Sequence, residues 1–403
     1  MHYKALLEDL TFPKIGKTES EEIREIVLGT IGSLSFADKM NIISIVAYGT
    51  MITGEGAPPF SDLELYAITR FYDPTLARRL ENALNRPKPP VMINVGQLHY
   101  SLLRKWKSIQ ANDIKSSGKV IYGDPAVLNA ISVSPSQIPR YDSIKILLNL
   151  GVDKLNAVMS PDVLNDQHIP ESQKGKFSFN CVKANITICR ALLNFIGEYN
   201  SSLTEGADFF KSSYKDSFPT LHRTNPQLAD DVSLATNIRL SFNYDQIRDP
   251  FGYWFRTQKN VKDTLIFLLQ NYFIEKTNNE LQLILLLEKF PHKLGSNIVY
   301  LLRTFFLGKK QKTPFLHSLL TDPWIKTHIA SSFLLWALNP NATVDENFVK
   351  QAYDKLREAF VLDELTVFDL KAWNMLREIV VQLNESSILP QPLLSNDHNQ
   401  VVQ

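Results

Sequence analysis

Residues 42–71 read IISIVAYGT, then MITGEGAPPFS, then DLELYAITRF. An apolar run ends in Gly49-Thr50, eleven residues intervene, and an alternating run follows. The first run is rich in β-branched residues and the second has the period of a half-buried strand. The stretch therefore predicts strand, polar turn, strand, with the strands at 42–48 and 62–69. Side chains two apart in a strand share a face. Asp62 and Glu64 then lie side by side, with Leu63 and Leu65 on the other face. Adjacent carboxylates repel unless a cation sits between them. Mg²⁺ is the simplest occupant, because it is typically held by one or two carboxylates plus substrate phosphates. An ordinary strand with an acidic solvent face is the structural alternative.

Tyr48-Gly49-Thr50 followed by Ser61-Asp62-Leu63-Glu64-Leu65 resembles the DNA polymerase β-like nucleotidyltransferase superfamily. There an apolar residue and Gly-Ser precede, after a spacer of this size, Asp-apolar-Asp/Glu-apolar. Thr50 stands where the family usually has Ser, and both supply a hydroxyl. The resemblance implies an α+β N-terminal nucleotidyltransferase domain, a mixed sheet with helices, followed by a large all-α region. It implies Asp62 and Glu64 as catalytic ligands of Mg²⁺ or Mn²⁺, and Gly49, Thr50 and Ser61 as nucleotide-binding residues. The implied reaction moves a nucleoside monophosphate from a triphosphate such as ATP to a hydroxyl acceptor and releases pyrophosphate. A P-loop reading of Gly49 to Gly54 fails, because Glu55 stands where the phosphate-binding Lys belongs.

Many members of that superfamily add a third carboxylate on a later strand. The matching context here is Ile93-Asn94-Val95, and no acid occurs between Glu81 and Asp113. Asn94 can orient a hydroxyl but cannot accept a proton at neutral pH. Glu55 and Asp113 are the remaining candidates for the missing acid. The family's helical domain often lends a Lys to the triphosphate, and residues 180–200, with Lys183 and then Gly197-Glu-Tyr199, resemble that helix. A solvated lysine and a core tyrosine with a wet hydroxyl are the structural alternatives. Val120-Ile-Tyr-Gly-Asp-Pro125 is similar to a passage of nucleotidyltransferases that modify small molecules. A small-molecule acceptor is therefore expected ahead of a protein side chain or an RNA end. Asn94 supports a second reading, a catalytically degenerate nucleotide-binding or interaction module.

The chain has 403 residues, 44% of them apolar, and a formal net charge of +1. That length suits two or three domains, and that charge does not suit a nucleic-acid coat protein. No N-terminal stretch reads as a signal peptide and no apolar run is long enough for a bilayer, so a cytoplasmic protein without a membrane partner is expected. Cys181 and Cys189 lie eight apart in one helical pattern and read as buried thiols. The histidines are scattered without metal-ligand spacing.

In chain order, Thr18-Glu-Ser-Glu21 predicts a capping box for a helix to about residue 33. Asp73 is expected to cap a helix over 74–84, followed by a strand at 91–98, a helix at 100–109, a strand at 119–122 and a helix at 126–131. From 139 the period turns helical, with helices expected at 140–158, 172–200, 206–213, 225–238, 258–275, 279–289, 295–308, 315–320, 323–338, 345–359 and 366–385. Residues 161–175 and 339–343 read as loops. Expected domains are 1–138, catalytic, and 139–385, helical with a sub-boundary near 203–225, before a tail at 386–403. Residues 308–312 form a basic patch, and the aromatic-basic run Arg248 to Arg256 reads as a core-anchored loop or a base-stacking platform.

Overall fold

The stretch from Ile42 to Phe71 folds as an antiparallel strand pair, β1 (Ile42–Tyr48) and β2 (Leu63–Thr69). The computed structural model describes residues 10, 12–71, 73, 75–275, 277, 279–290 and 323–388. The helices expected at 295–308 and 315–320, the basic patch at 308–312 and the tail beyond 388 lie outside the described residues.

Two more strands complete a mixed sheet in the order β3-β2-β1-β4, with β3 (Ile93–His99) parallel to β2 and β4 (Lys119–Gly123) antiparallel to β1. Helix α1 (Lys17–Ser33) precedes the sheet. The eleven-residue spacer is not a simple polar turn: it holds a short helix, α2 (Thr50–Thr53). Because β2 and β3 are parallel, a crossover must join them, and α3 (Leu76–Asn85) provides it. This helix also covers the sheet edge. Asn85 exchanges two hydrogen bonds with the backbone of Ile93, and Glu81 Oε2 accepts from the Val95 N–H at 3.0 Å. Alternate donors of an edge strand are thereby satisfied, which removes a template for aggregation.

Alternation along the strands builds two cores. Ile45, Ala47, Leu63, Leu65, Ala67, Ile93 and Val95 pack with Ile23, Val27 and Ile31 of α1 and Leu76, Leu80 and Leu84 of α3. Each such fully buried aliphatic side chain contributes about 1.5–3 kcal/mol. On the other face Val46, Tyr48, Ile68 and Val120 pack with Ile109, Ala111 and Ile114 of α4 (Ile109–Ser117) and with Tyr199. Glu64 shares this second face with Tyr66 and Ile68.

Several local expectations shift. Helix α1 starts at Lys17 behind Gly16, so Thr18 is inside the helix and is not its cap. Asp73 accepts from the N–H and hydroxyl of Thr75 in a turn, and α3 begins at Leu76. Residues Tyr100–Lys105 form only a tight 3₁₀ turn, and the helix lies later, at α4, where Ser108 accepts from the Ala111 N–H. Pro125–Ala130 is also 3₁₀, with Asp124 accepting from the Ala126 N–H. The stretch read as a loop contains a helix, Pro161–Asp166, capped by Ser160.

The chain forms two compact units, Met1–Ile146 with Gly175–Arg248, and Leu147–Lys174 with Asp249–Gln403. The first unit contains the sheet, most of α5 (Glu171–Ile196), α6 (Leu203–Ser217) and α7 (Leu228–Ser241). The second contains α8 (Pro250–Phe273), α9 (Pro323–Ala337), α10 (Glu346–Ala359) and α11 (Leu370–Ile388). Helix α9 is buried nearly all round, as expected for a central helix. Trp254, within the aromatic run 248–256, is fully buried and donates to the Leu155 carbonyl, so that run anchors a core. Among the described residues no helix is long and apolar enough to cross a membrane.

An ion network ties the second unit together. Glu288 pairs with Lys326 of α9 at 2.5 Å and with Lys355 of α10 at 2.9 Å, and Lys355 also meets Glu358 at 2.7 Å. Burial raises the Glu288 pKa, but the two lysines outweigh it and hold the group below its ordinary value of 4.5. A depressed folded pKa gives stability that is full above the unfolded value and is lost as pH falls through the folded one. Glu288→Gln should therefore lower the thermal midpoint at neutral pH. The wild-type and variant midpoints should converge as pH drops below about 4.5.

Candidate functional site

Gly49 closes β1 and turns the chain into α2. Its φ of 88° and ψ of −174° lie in a region that only glycine enters freely. A Cβ there would sit 2.4 Å from Glu64 Oε2. The reason is register: Tyr48 of β1 faces Glu64 of β2, so the next residue on β1 ends beside that carboxylate. Register also places Asn94 opposite Glu64 on β3. Asn94 Nδ2 donates to Asp62 Oδ2 at 3.1 Å. Gly49, Asp62, Glu64 and Asn94 are thus brought together at one end of the sheet.

Glu64 is half-buried and Asp62 exposed. Burial raises the Glu64 pKa; Lys183 and Arg190 pull it back, and Asp113 and Asp62 push it further up. Lys183, on α5, therefore acts electrostatically on Glu64. Its ammonium also lies 5.7 Å from the centre of the Phe179 ring.

Asp113 is not free to serve as a base. Both its oxygens are engaged, one by Arg190 and the other by the Tyr199 hydroxyl at 2.7 Å. Arg190 Nε also donates to Tyr199 at 2.9 Å. Burial opposes the Arg190 charge, but Asp113 and Tyr199 outweigh it and raise its pKa. The Tyr199 hydroxyl is buried in this triad and raised in pKa by burial, so the expectation of a wet hydroxyl fails. Glu55 is likewise committed elsewhere: its Oε1 accepts from the Leu203 N–H at 2.8 Å and the Ser202 hydroxyl at 3.2 Å, at the start of α6.

Thr50 and Ser61 converge on a residue that the sequence reading missed. Arg239, on α7, donates to Ser61 Oγ at 2.7 Å and to Thr50 Oγ1 at 3.4 Å. Arg190 was also missed. It lies seven residues after Lys183, two turns along the same helix face, and that spacing was available in the sequence. Arg239 carried no such signal, because it stands 178 residues from Ser61 and 189 from Thr50.

For a divalent metal, the donor chemistry of Asp62 and Glu64 fits a hard cation that completes its shell with phosphate and water oxygens. Among the described residues no three His, Cys, Asp or Glu side chains form a closed metal cage. Cys181 and Cys189 are buried thiols, and burial pushes the Cys189 thiol up to about 12.

No protein-family model matches the chain. No curated protein matches it either. Among solved structures the chain is similar to a spectinomycin adenyltransferase from Enterococcus faecialis, determined with ATP and spectinomycin. The TM-score is 0.33 and the identity 14%, over 59% of this chain and 98% of that one.

Gly49→Ala should destabilise the protein by about 1–3 kcal/mol, because the backbone region penalises any Cβ. Chemical denaturation would measure it. The Glu64 side chain must also move, since the added Cβ would stand 2.4 Å from its Oε2.

Proposed function

We propose that this chain is a metal-dependent nucleotidyltransferase. The carrying observation is the approach of Gly49 to Glu64, which puts a glycine turn without a side chain beside the Asp62–Glu64 carboxylates. Asp62 and Glu64 would hold Mg²⁺ or Mn²⁺. Bound there, the ion would offset phosphate charge and lower the pKa of the attacking hydroxyl. Thr50 and Ser61 would donate to phosphate oxygens, and Lys183 would balance the charge near the carboxylates.

The reaction is an in-line displacement. The acceptor oxygen bonds to the α-phosphorus, the bond from that phosphorus to the bridging oxygen breaks, and pyrophosphate leaves with the electron pair. The acceptor's proton goes to water, because Asn94 cannot take it and Asp113 is held by Arg190 and Tyr199. ATP is the nucleotide proposed first. A small-molecule acceptor is proposed ahead of protein or RNA, on the sequence passages at 120–125 and 183–199. The catalytic part would be the sheet-bearing N-terminal region, 1–138 in the sequence reading, and a cytoplasmic location is part of the same proposal.

One observation favours a second reading. The Asn94 amide donates to Asp62 from the position where a third carboxylate is expected. A protein of this kind would bind nucleotide without turning it over.

Calorimetric titration with the four nucleoside triphosphates and Mg²⁺ tests the site. The wild type should bind at least one, and Asp62→Ala/Glu64→Ala should lose that binding. Absence of binding to all four triphosphates would sink both readings. Binding without pyrophosphate release would select the second, and in that case Asn94→Asp should raise release by about 10²-fold or more, the scale of a general base.

A further inference from the structure

At the end of the sheet away from Glu64 the chain exposes five large apolar side chains. Phe36 is 80% exposed, Met40 58%, Phe71 71%, Tyr100 46% and Leu102 47%. An apolar side chain exposed singly needs no explanation, but a group of them rimmed by polar residues marks an interaction surface. The register brings these five to one place. Ile42 at the start of β1, Thr69 at the end of β2 and His99 at the end of β3 are aligned across the sheet. Phe36 and Met40 lie one turn apart in the short helix Phe36–Asn41, which leads into β1. Phe71 follows β2, and Tyr100 and Leu102 follow β3. Adjacent strands are about 4.8 Å apart, so the three strand ends span about 10 Å. Thr69 stands roughly 17 Å along β2 from Glu64, so this surface is separate from the carboxylate site.

Polar contacts fix the segment that carries Phe36 and Met40. Ser35 Oγ accepts from the Asp38 N–H at 3.1 Å, and Lys39 Nζ donates to the Gly32 carbonyl at 2.7 Å. Arg79 of α3 pairs with Asp38 at 2.6 Å and Asp73 at 3.0 Å. Asn41 accepts the Arg70 N–H on its carbonyl and the Phe71 N–H on its side chain, both at 2.8 Å. Phe71 is thereby held beside the last turn of the short helix. The apolar groups are presented to solvent by a fixed framework.

The charge around them is one-sided. Asp38 and Asp73 are both taken by Arg79, and Lys39 beside them completes the balance. Asp124, on the β4 side, caps its own turn. Arg70, Arg104 and Lys105 are exposed. None of the three pairs with an acid among the described residues. Side chains three apart eclipse in a 3₁₀ turn, so Leu102 and Lys105 form one ridge.

We propose that this end of the sheet docks a partner protein that presents apolar anchors flanked by carboxylates. Charge and composition select that occupant over two others. A second copy of this chain would meet the patch with itself and set Arg70, Arg104 and Lys105 against their own counterparts. An anionic bilayer is recognised by clusters of about four to eight basic residues, more than the three free cations here. Phe, Tyr, Met and Arg are the types enriched at the cores of protein–protein interfaces, and of the free cations only Lys105 is of the depleted type. The proposal is independent of nucleotidyl transfer.

The test is selection of a displayed random-peptide library on the full chain, with counter-selection on Phe36→Ser/Phe71→Ser to remove peptides that bind elsewhere. Both positions are exposed, so the variant should keep the wild-type thermal midpoint. If the double variant does not fold, Phe36→Ser and Phe71→Ser singly and Arg70→Glu/Arg104→Glu take its place. The enriched peptides should carry Leu, Phe or Trp between Asp and Glu residues. Synthesised and titrated, they should bind the serine variants more weakly than the wild type by about 10-fold or more, the scale of a truncated interface anchor. Arg70→Glu/Arg104→Glu should also weaken them by about 10-fold or more and flatten the salt dependence.

No enrichment, enriched peptides that are basic or uncharged, or affinities unchanged in the variants overturn the proposal. Flotation with phosphatidylserine-containing vesicles that the serine variants lose assigns the patch to a membrane and overturns it too. So does a concentration-dependent dimer in sedimentation that the same variants abolish, which assigns the patch to a second copy.

Discussion

The pairing register of β1 against β2 is the constraint on which the candidate site depends. Tyr48 faces Glu64 and Ala47 faces Leu65. A slip of one residue would send Glu64 into the core of α1 and α3 and bring Leu65 to the open end. That core fixes the register, because Leu63, Leu65 and Ala67 are all buried in it. Packing energy on one face thereby sets electrostatics on the other. The parallel pairing of β2 with β3 extends the same logic, since Glu81 and Asn85 of α3 hold the edge strand whose Asn94 lies opposite Glu64.

The strands of the sheet were legible in the sequence because their alternation is local, and Asp62, Glu64, Gly49 and Asn94 lie on or next to them. The long helices were legible for a similar reason, their apolar period being sustained over many residues. Short elements were not. The 3₁₀ turn at Tyr100–Lys105 and α4 after it exchange places relative to the reading of 100–109. A capping serine at 108 decides where α4 starts, and its signal is weaker than the apolar residues upstream. The misplacement mattered, because Asp113 sits on α4. Its partners Arg190 and Tyr199 stand 77 and 86 residues away. No local pattern encodes a pairing at that separation, and the same holds for Arg239 with Ser61.

The ionised groups divide into two sets of opposite need. At the sheet end, Asp62 and Glu64 are acceptors beside one another, and Glu64 resists ionising because it is buried. Behind the glycine loop, Arg239 is a donor only, and the Thr50 and Ser61 hydroxyls accept from it. Lys183 and Arg190 act on the first set, while Arg190 is largely taken up by Asp113. Asp62 for its part accepts from the Asn94 amide, so the group that adjoins the carboxylate pair across the β2–β3 register is a neutral donor that adds no further negative charge.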